Sequence, residues 1–443
     1  MTVATRSRYR IEPRYVIVLA TFLATFTAYV ERVGFSIAFT DLAKEAGVDE
    51  SVKGAVLSAF YWGYALSQIP GGWAAQQYGG RIMLLLCFAS WSAASILTPT
   101  NARHTYAIVA ARVAVGVAQG FLIPAVHTVL SQWIPPHERA RAVSLTTSGM
   151  YLGSASAMLV LPYFSARLGS ASLLKIVGGL GLAWMCLWLA VGRDIPHRET
   201  DRGNVAWYGN GIEEDLVPHC HGHSHGNAKG RPGPTPYKRM MSSAAVWAIV
   251  VNNFSFHYAF YVIMNWLPTY FNHVLKVELN SLGGAKTVPY LVMFLMSNVG
   301  GWAGDWLILK RRNSTGTARK IVNTLGFVSS AIALMLMPGA QGVTYGVAVT
   351  TLTLGCLGFS RGGFSVNHMD IAPKYAGMVM GISNTAGTVS GVIGVAVTGY
   401  ILDAWGGADN VMGWYVAHAV SAAICFQAML VFNFFARGER LFD

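Results

Sequence analysis

Charge is what this sequence has least of. Its 443 residues include 32 Lys and Arg and only 20 Asp and Glu, together 12% of the chain. An ordinary soluble domain carries about 25%. Half that charge leaves too little polar surface to coat a body dissolved in water. Cysteine is sparse as well. Of Cys87, Cys186, Cys220, Cys356 and Cys425, four lie in apolar runs and none falls in a pairing pattern. That excludes a disulfide framework and leaves buried thiols as the default. No nucleophile–base set and no nucleotide-cradling loop appears, so an enzyme is the least expected class, and no cofactor or resident metal is expected. A cleavable leader is not expected either. The first apolar run, from Tyr15 to Phe39, is too long for a signal-peptide core and lacks a small-residue cleavage site, so it is expected to stay as a span. The short basic tail before it is a poor match to an organellar transit peptide.

What is present is apolar and periodic. Hydrophobic residues make up 53% of the chain and mean hydropathy is +0.42, with 48 Gly and 13 Trp. Gly is frequent in membrane helices, and Trp gathers where they meet the headgroups. A span needs roughly 20 apolar residues. Apolar windows predict spans at 15–39, 54–75, 82–99, 106–132, 142–165, 172–192, 244–271, 286–309, 321–338, 343–368, 375–402 and 411–436. The expected fold class is an all-α membrane protein with twelve transmembrane helices. The basic pI of about 9.5 would fit nucleic acid, but the placement of the charge does not. With the N-terminus in the cytoplasm, inside segments hold 22 of the 32 Lys and Arg and outside loops hold 7. The asymmetry is a topology signal and predicts both termini inside. Lipid is thus an expected partner and nucleic acid is not.

The chain repeats itself. Gly71-Gly72-Trp73-Ala74 closes the second span and Gly300-Gly301-Trp302-Ala303 the eighth, 229 residues later. Ile134-Pro135-Pro136 follows the fourth span and Ile371-Ala372-Pro373 the tenth, at an offset of 237. One six-helix unit used twice predicts two pseudo-symmetric bundles, 1–192 and 244–443, with a substrate site between them near mid-membrane. The segment 193–243 reads as a polar cytoplasmic linker. Its alternate histidines His219, His221, His223 and His225 suggest a metal-ion transporter, but a solvated insert with adventitious metal affinity is the favoured reading.

Three basic residues fall inside spans: Arg32, Arg112 and Arg361. A central charge costs about 2.5–3.5 kcal/mol on insertion scales, so each needs a partner or a task. Glu31 and Arg32 share the first span, and Arg112 lies at similar depth in the fourth. Two cations and one carboxylate leave one positive charge in excess. A desolvated guanidinium grips a carboxylate or phosphate through paired hydrogen bonds. Arg32 is therefore the expected substrate anchor. Glu31 and Arg112 are expected to act in coupling, with Glu31 either neutralising Arg112 or carrying a proton. Tyr64, Gln119, Asn384 and His257 are mid-depth polar candidates for the same site, and His257 is an alternative proton carrier. Each is otherwise helix-to-helix glue. Arg361 lies toward the cytoplasm, where it is expected to snorkel or to meet the anion once the carrier opens inward. His127 and His368 are placed to line an exit.

At these residues the chain resembles the major facilitator superfamily. More closely it is similar to the anion:cation symporter family of sialin, the vesicular glutamate transporters, the sodium–phosphate cotransporters and the plant type-4 phosphate transporters. The likeness rests on Glu31-Arg32, SAFYWGY at 58–64 with QIPGG at 68–72, WIPPHER at 133–139, FSVNHMDIAPKYAG at 364–377 and GISNTAG at 381–387. AQGF at 118–121, SRGGF at 360–364 and MNWLPTYF at 264–271 resemble the plant and algal Golgi-type branch. The resemblance implies an anion held by Arg32, substrate contacts at Tyr64 and Asn384, and proton coupling at Glu31. It also implies a functional monomer in an endomembrane of Golgi type or in the plasma membrane. Three departures stand out. Gln119 replaces a Glu that serves many relatives as a second coupling acid. Gln76 replaces the usual Asp of the loop after the second span. The His-rich insert has no counterpart. The expected function is a secondary carrier for inorganic phosphate driven by H+ or Na+. Carriage of an organic anion such as glutamate, an acidic sugar or ascorbate is the close variant, and an anion sensor the distant one.

Overall fold

The computed structural model describes residues 12–48, 50–192, 236–277, 285, 287–339 and 342–442. The basic residues at 6, 8 and 10 and most of the linker, with His219–His225, lie outside the described residues. Among those described, every regular element is helical.

The first group runs α1 (Pro13–Ala46), α2 (Glu50–Tyr78), α3 (Gly80–Leu97), α4 (Thr105–Gly120), α5 (Leu122–Trp133), α6 (Arg139–Leu168) and α7 (Ser170–Val191). A short α8 (Tyr237–Met241) leads into α9 (Ala244–His273), α10 (Val288–Leu309), α11 (Thr315–Leu336), α12 (Val343–Ile371), α13 (Ala376–Ala404) and α14 (Val411–Phe435). The expected fourth span is broken into α4 and α5 at Phe121. Pro124 lacks an N–H and its ring crowds the carbonyl four residues back, which explains the break. With α4 and α5 as one crossing, twelve segments span the membrane. The described chain ends then share one side, called here the inner face. Helix α1 starts on Pro13, whose fixed φ suits a first turn, and ends at Gly47 in the left-handed conformation, φ 65°, where glycine carries no Cβ penalty.

Ten of the twelve segments are apolar enough to be recognised as spans by length and hydropathy alone. The exceptions are α2 and α6. Both pack against the opposite group of helices, α2 on α13 and α6 on α10. They therefore bury polar residues against protein, Gln68 in α2 and Thr146, Thr147 and Ser148 in α6.

Each group uses one packing scheme. Helix α1 lies on α6 and α7, α2 on α4, and α3 on α7. In the second group α9 lies on α13 and α14, α10 on α12, and α11 on α14. The repeated Gly-Gly-Trp motifs sit where the two groups meet. Any side chain at Gly72 would start 2.6 Å from the Gly377 carbonyl oxygen, and any at Gly301 2.6 Å from that of Ala140. Only glycine lets these backbones approach so closely. The adjacent Trp73 and Trp302 both turn outward and are exposed.

Charge completes the clasp at the inner face. Helix α6 has no side-chain cap of its own. Asp305 of α10 supplies one from the other group, accepting from the backbone N–H of Arg141 at 2.9 Å and of Ala140 at 3.3 Å. A carboxylate there satisfies orphan donors and meets the positive end of the helix dipole. The same carboxylate pairs with Arg141 Nε at 3.2 Å and lies 3.8 Å from Arg319 Nη1. Arg319 Nε donates to Asp370 at 2.8 Å, and Arg139 Nη1 donates to the Met369 carbonyl at 2.9 Å. Arg319 corrects the sequence expectation that 310–320 is a loop. It lies in the second turn of α11 and is fully buried. Its two carboxylate partners, Asp305 and Asp370, make that burial tolerable.

Candidate functional site

Glu31 and Arg32 follow each other on α1, so their side chains leave the helix about 100° apart and meet different surroundings. Glu31 is fully buried and saturated. Its Oε1 accepts from Arg112 Nη1 at 2.7 Å and Ser95 Oγ at 2.8 Å, and its Oε2 accepts from Gln119 Nε2 at 2.9 Å. Arg112 thus neutralises Glu31, with its guanidinium also over the ring of Phe35 at 3.8 Å. Among the described residues, Arg112 is the cation that pairs with this carboxylate.

Arg32 is left with no acidic partner among the described residues. Its Nε donates to Gln119 Oε1 at 2.8 Å. Its guanidinium carbon lies 4.5 Å from the ring centre of Tyr29, 4.6 Å from Phe60 and 4.5 Å from Tyr64. The negative ring faces hold a cation without cancelling it, and Nη2 is buried with no hydrogen-bond partner. An aromatic box with an unpartnered Nη2 amino group and one positive charge in excess can donate charged hydrogen bonds to an anion.

Tyr64 and Asn384 come together across the two helix groups. Asn384 Nδ2 donates to Tyr64 Oη at 3.1 Å and also to Gln68 Oε1. Gln68 Nε2 donates to Thr388 Oγ1 at 2.9 Å. Gln119 thus touches Arg32 directly, and Tyr64 links it to Asn384. His257 stands apart. Its Nδ1 meets the Asn253 carbonyl at 2.9 Å and its ring stacks on Tyr261 at 5.8 Å. It is a partly satisfied helix histidine.

Arg361 does not snorkel. It is 3% exposed and turns into the bundle, where Nη1 donates to Tyr151 Oη at 3.0 Å and the guanidinium lies 4.9 Å from the Phe256 ring centre. Its place on α12 puts it well inside the helix, too far from the headgroups for the side chain to reach them. On its inner side, His127 and His368 face each other with ring centres 5.5 Å apart. Both ring nitrogens of His127 are buried without partners.

Sequence reasoning missed Tyr29, Tyr151 and Ser95 here. Tyr and Ser are common in membrane helices and carried no distinguishing local pattern; only the helix packing selects these three.

The Major Facilitator Superfamily profile matches residues 21–395. The chain is 47% identical over 437 residues to a protein of Arabidopsis thaliana named probable anion transporter 5, covering 98% of this chain and 99% of that one. It is 35% identical to the chloroplastic ascorbate transporter of that plant, over 97% of this chain and 76% of the relative. It is 33% identical to its chloroplastic sodium-dependent phosphate transport protein 1, over 97% and 80%. In three dimensions it is similar to the E. coli fucose:proton symporter, at a TM-score of 0.67 and 14% identity over 96% of this chain and 99% of that one. That likeness speaks to the fold alone. Profile, relatives and architecture agree: the chain belongs to the Major Facilitator Superfamily, in the family of plant anion transporters.

Proposed function

We propose that this protein is a secondary active transporter of inorganic phosphate, coupled to H+ or Na+ and working by alternating access between bundles 1–192 and 244–443. The observation that carries the reading is Arg32: a guanidinium with a spare N–H, boxed by three rings and without a carboxylate. Glu31, held by Arg112, Ser95 and Gln119, is the coupling group. An ion that loosens this saturated cluster changes how firmly Gln119 holds Arg32. Tyr64 and Asn384 complete the anion's contacts from the two bundles, and His257 borders them. The protein acts as a monomer with both termini in the cytoplasm, in a Golgi-type endomembrane.

A second reading, carriage of an organic anion, is supported by the ascorbate-transporting relative, which is as similar as the phosphate-transporting one. The decisive experiment is uptake by purified protein in liposomes, with phosphate, ascorbate and glutamate under imposed proton or sodium gradients. Arg32→Ala is expected to reduce uptake at least tenfold, from the loss of about 1.5–3 kcal/mol of charged hydrogen bonding. Phosphate that neither enters nor competes would pass the function to the organic anion. Undiminished uptake by Arg32→Ala would remove Arg32 as the anchor under either reading.

A further inference from the structure

Arg361 is the second uncompensated cation of the protein's middle, and it comes from the other bundle. Among the described residues no carboxylate pairs with it. Its Nε is buried with no hydrogen-bond partner, so it shares with Arg32 the property that marks an anion anchor. The two differ in depth. At about 1.5 Å per residue, Arg32 lies about 28 Å along α1 from its inner end, and Arg361 about 15 Å along α12 from its own. They are staggered along the transport axis rather than level.

The space between them is aromatic. Tyr29 packs on Arg32, and Tyr151 lies within electrostatic range of Tyr29. Tyr151 reaches Arg361 and packs on Phe260 at 6.2 Å, and Phe260 packs on Phe256, which lies under Arg361. An anion leaving the outer box toward the inner face therefore meets Arg361 next. Below Arg361 come His127 and His368, and His127 has two unused ring nitrogens.

Tyr151 explains why this cation is quiet with the inner face clasped. It belongs to α6, in the first bundle, while Arg361 belongs to α12, in the second. Rocking that opens the inner face must separate α6 from the second bundle, because Asp305 and Gly301 hold α6 there. The Tyr151 hydroxyl then withdraws and the guanidinium regains the donors it shared.

We propose that Arg361 forms a second, inward-facing oxyanion site, capped by Tyr151 while the inner face is closed and filled by the cargo when it opens. The inference rests on the transport reading above and adds a residue that sets affinity on one face only. Arg32 serves the outer face and Arg361 the inner, so the anion changes partner once per cycle.

The test is phosphate exchange in proteoliposomes of defined orientation, with half-saturation measured separately from each face. Arg361→Gln should raise the inner value about tenfold or more and the outer value less than about threefold, with Arg361→Lys intermediate. Equal shifts on both faces, or none, would overturn the proposal and assign both guanidiniums to one site or Arg361 to structure. If Arg361→Gln does not fold, as judged by size-exclusion profile and melting curve, Tyr151→Phe replaces it. That variant keeps the charge and removes the cap, so it should lower the inner half-saturation and leave the outer unchanged; an unchanged inner value would count against the site. Absence of phosphate, sulfate and ascorbate flux in the wild type would be a different failure, removing the transport reading and this inference with it.

Discussion

Arg32 and Gln119 are joined by a single 2.8 Å hydrogen bond, and the far end of that same amide donates to Glu31 at 2.9 Å. One neutral side chain thus bridges the cation proposed to bind cargo and the carboxylate proposed to couple it. Any ion that changes the charge of Glu31 is felt at Arg32 through one amide.

Replacing Gln119 by Glu would place a second carboxylate against both. Two carboxylates sharing one site cannot both ionise readily, so one is driven to hold a proton. The ionised form would also neutralise Arg32. Uptake by Gln119→Glu is expected to fall several-fold at neutral pH and to recover as the medium is acidified, giving a steeper pH profile than wild type. Parallel profiles would show that the amide does not transmit charge.

Asp305 bears on the inner clasp. Asp305→Asn removes the charge facing Arg141 and Arg319 and weakens the cap on α6. Breaking a buried pair by removing one partner costs about 3–5 kcal/mol, all of it from the state closed at the inner face. A cysteine introduced at Thr128, buried against α13 at Gly377, should react with a thiol reagent at least about tenfold faster in the Asp305→Asn background. Equal rates would remove Asp305 from the gate.

Gly72 and Gly301 test the repeat. A methyl at either position meets a carbonyl oxygen at 2.6 Å, and backbone cannot yield as a side-chain tip does. Gly72→Ala and Gly301→Ala should each reduce turnover at least about fivefold, through overpacking of about 1–3 kcal/mol, with the same Thr128→Cys reporter becoming accessible. A variant that turns over normally would show that its helix pair does not close so tightly.

At the outer face, Lys276 Nζ bonds Asp409 at 2.9 Å and His273 Nδ1 lies 3.3 Å from it. These hydrogen bonds, Lys276 foremost, hold the Asp409 carboxyl below the usual carboxylate range. A depressed folded value means the contribution is complete above the unfolded pKa of about 3.9 and is lost as pH falls through the lower, folded one. Wild type should therefore melt slightly above Asp409→Asn at neutral pH. Only wild type should lose the small contribution of this fully exposed pair on the acid side of about pH 4. A gap that persists unchanged well below about pH 4 would show that the Asp409 charge contributes nothing.

Much of the architecture was legible because a bilayer imposes simple rules. Twenty-residue apolar runs, basic inner loops and repeated Gly-Gly-Trp motifs each carry their physical meaning locally, and Glu31, Arg32, Arg112 and Arg361 stand out because charge is so rare among them. Polarity and spacing alone indicated that the protein spans a membrane in two similar halves and that three arginines lie inside its spans. They did not decide who meets whom. That Arg112 rather than Arg32 takes Glu31, that Tyr151 of one bundle covers Arg361 of the other, and that Arg319 leaves its expected loop to join Asp370 all depend on which helix faces come into contact. Pairing of that kind is long-range, across 51 to 210 residues: it depends on close packing between helices, and no local pattern encodes it.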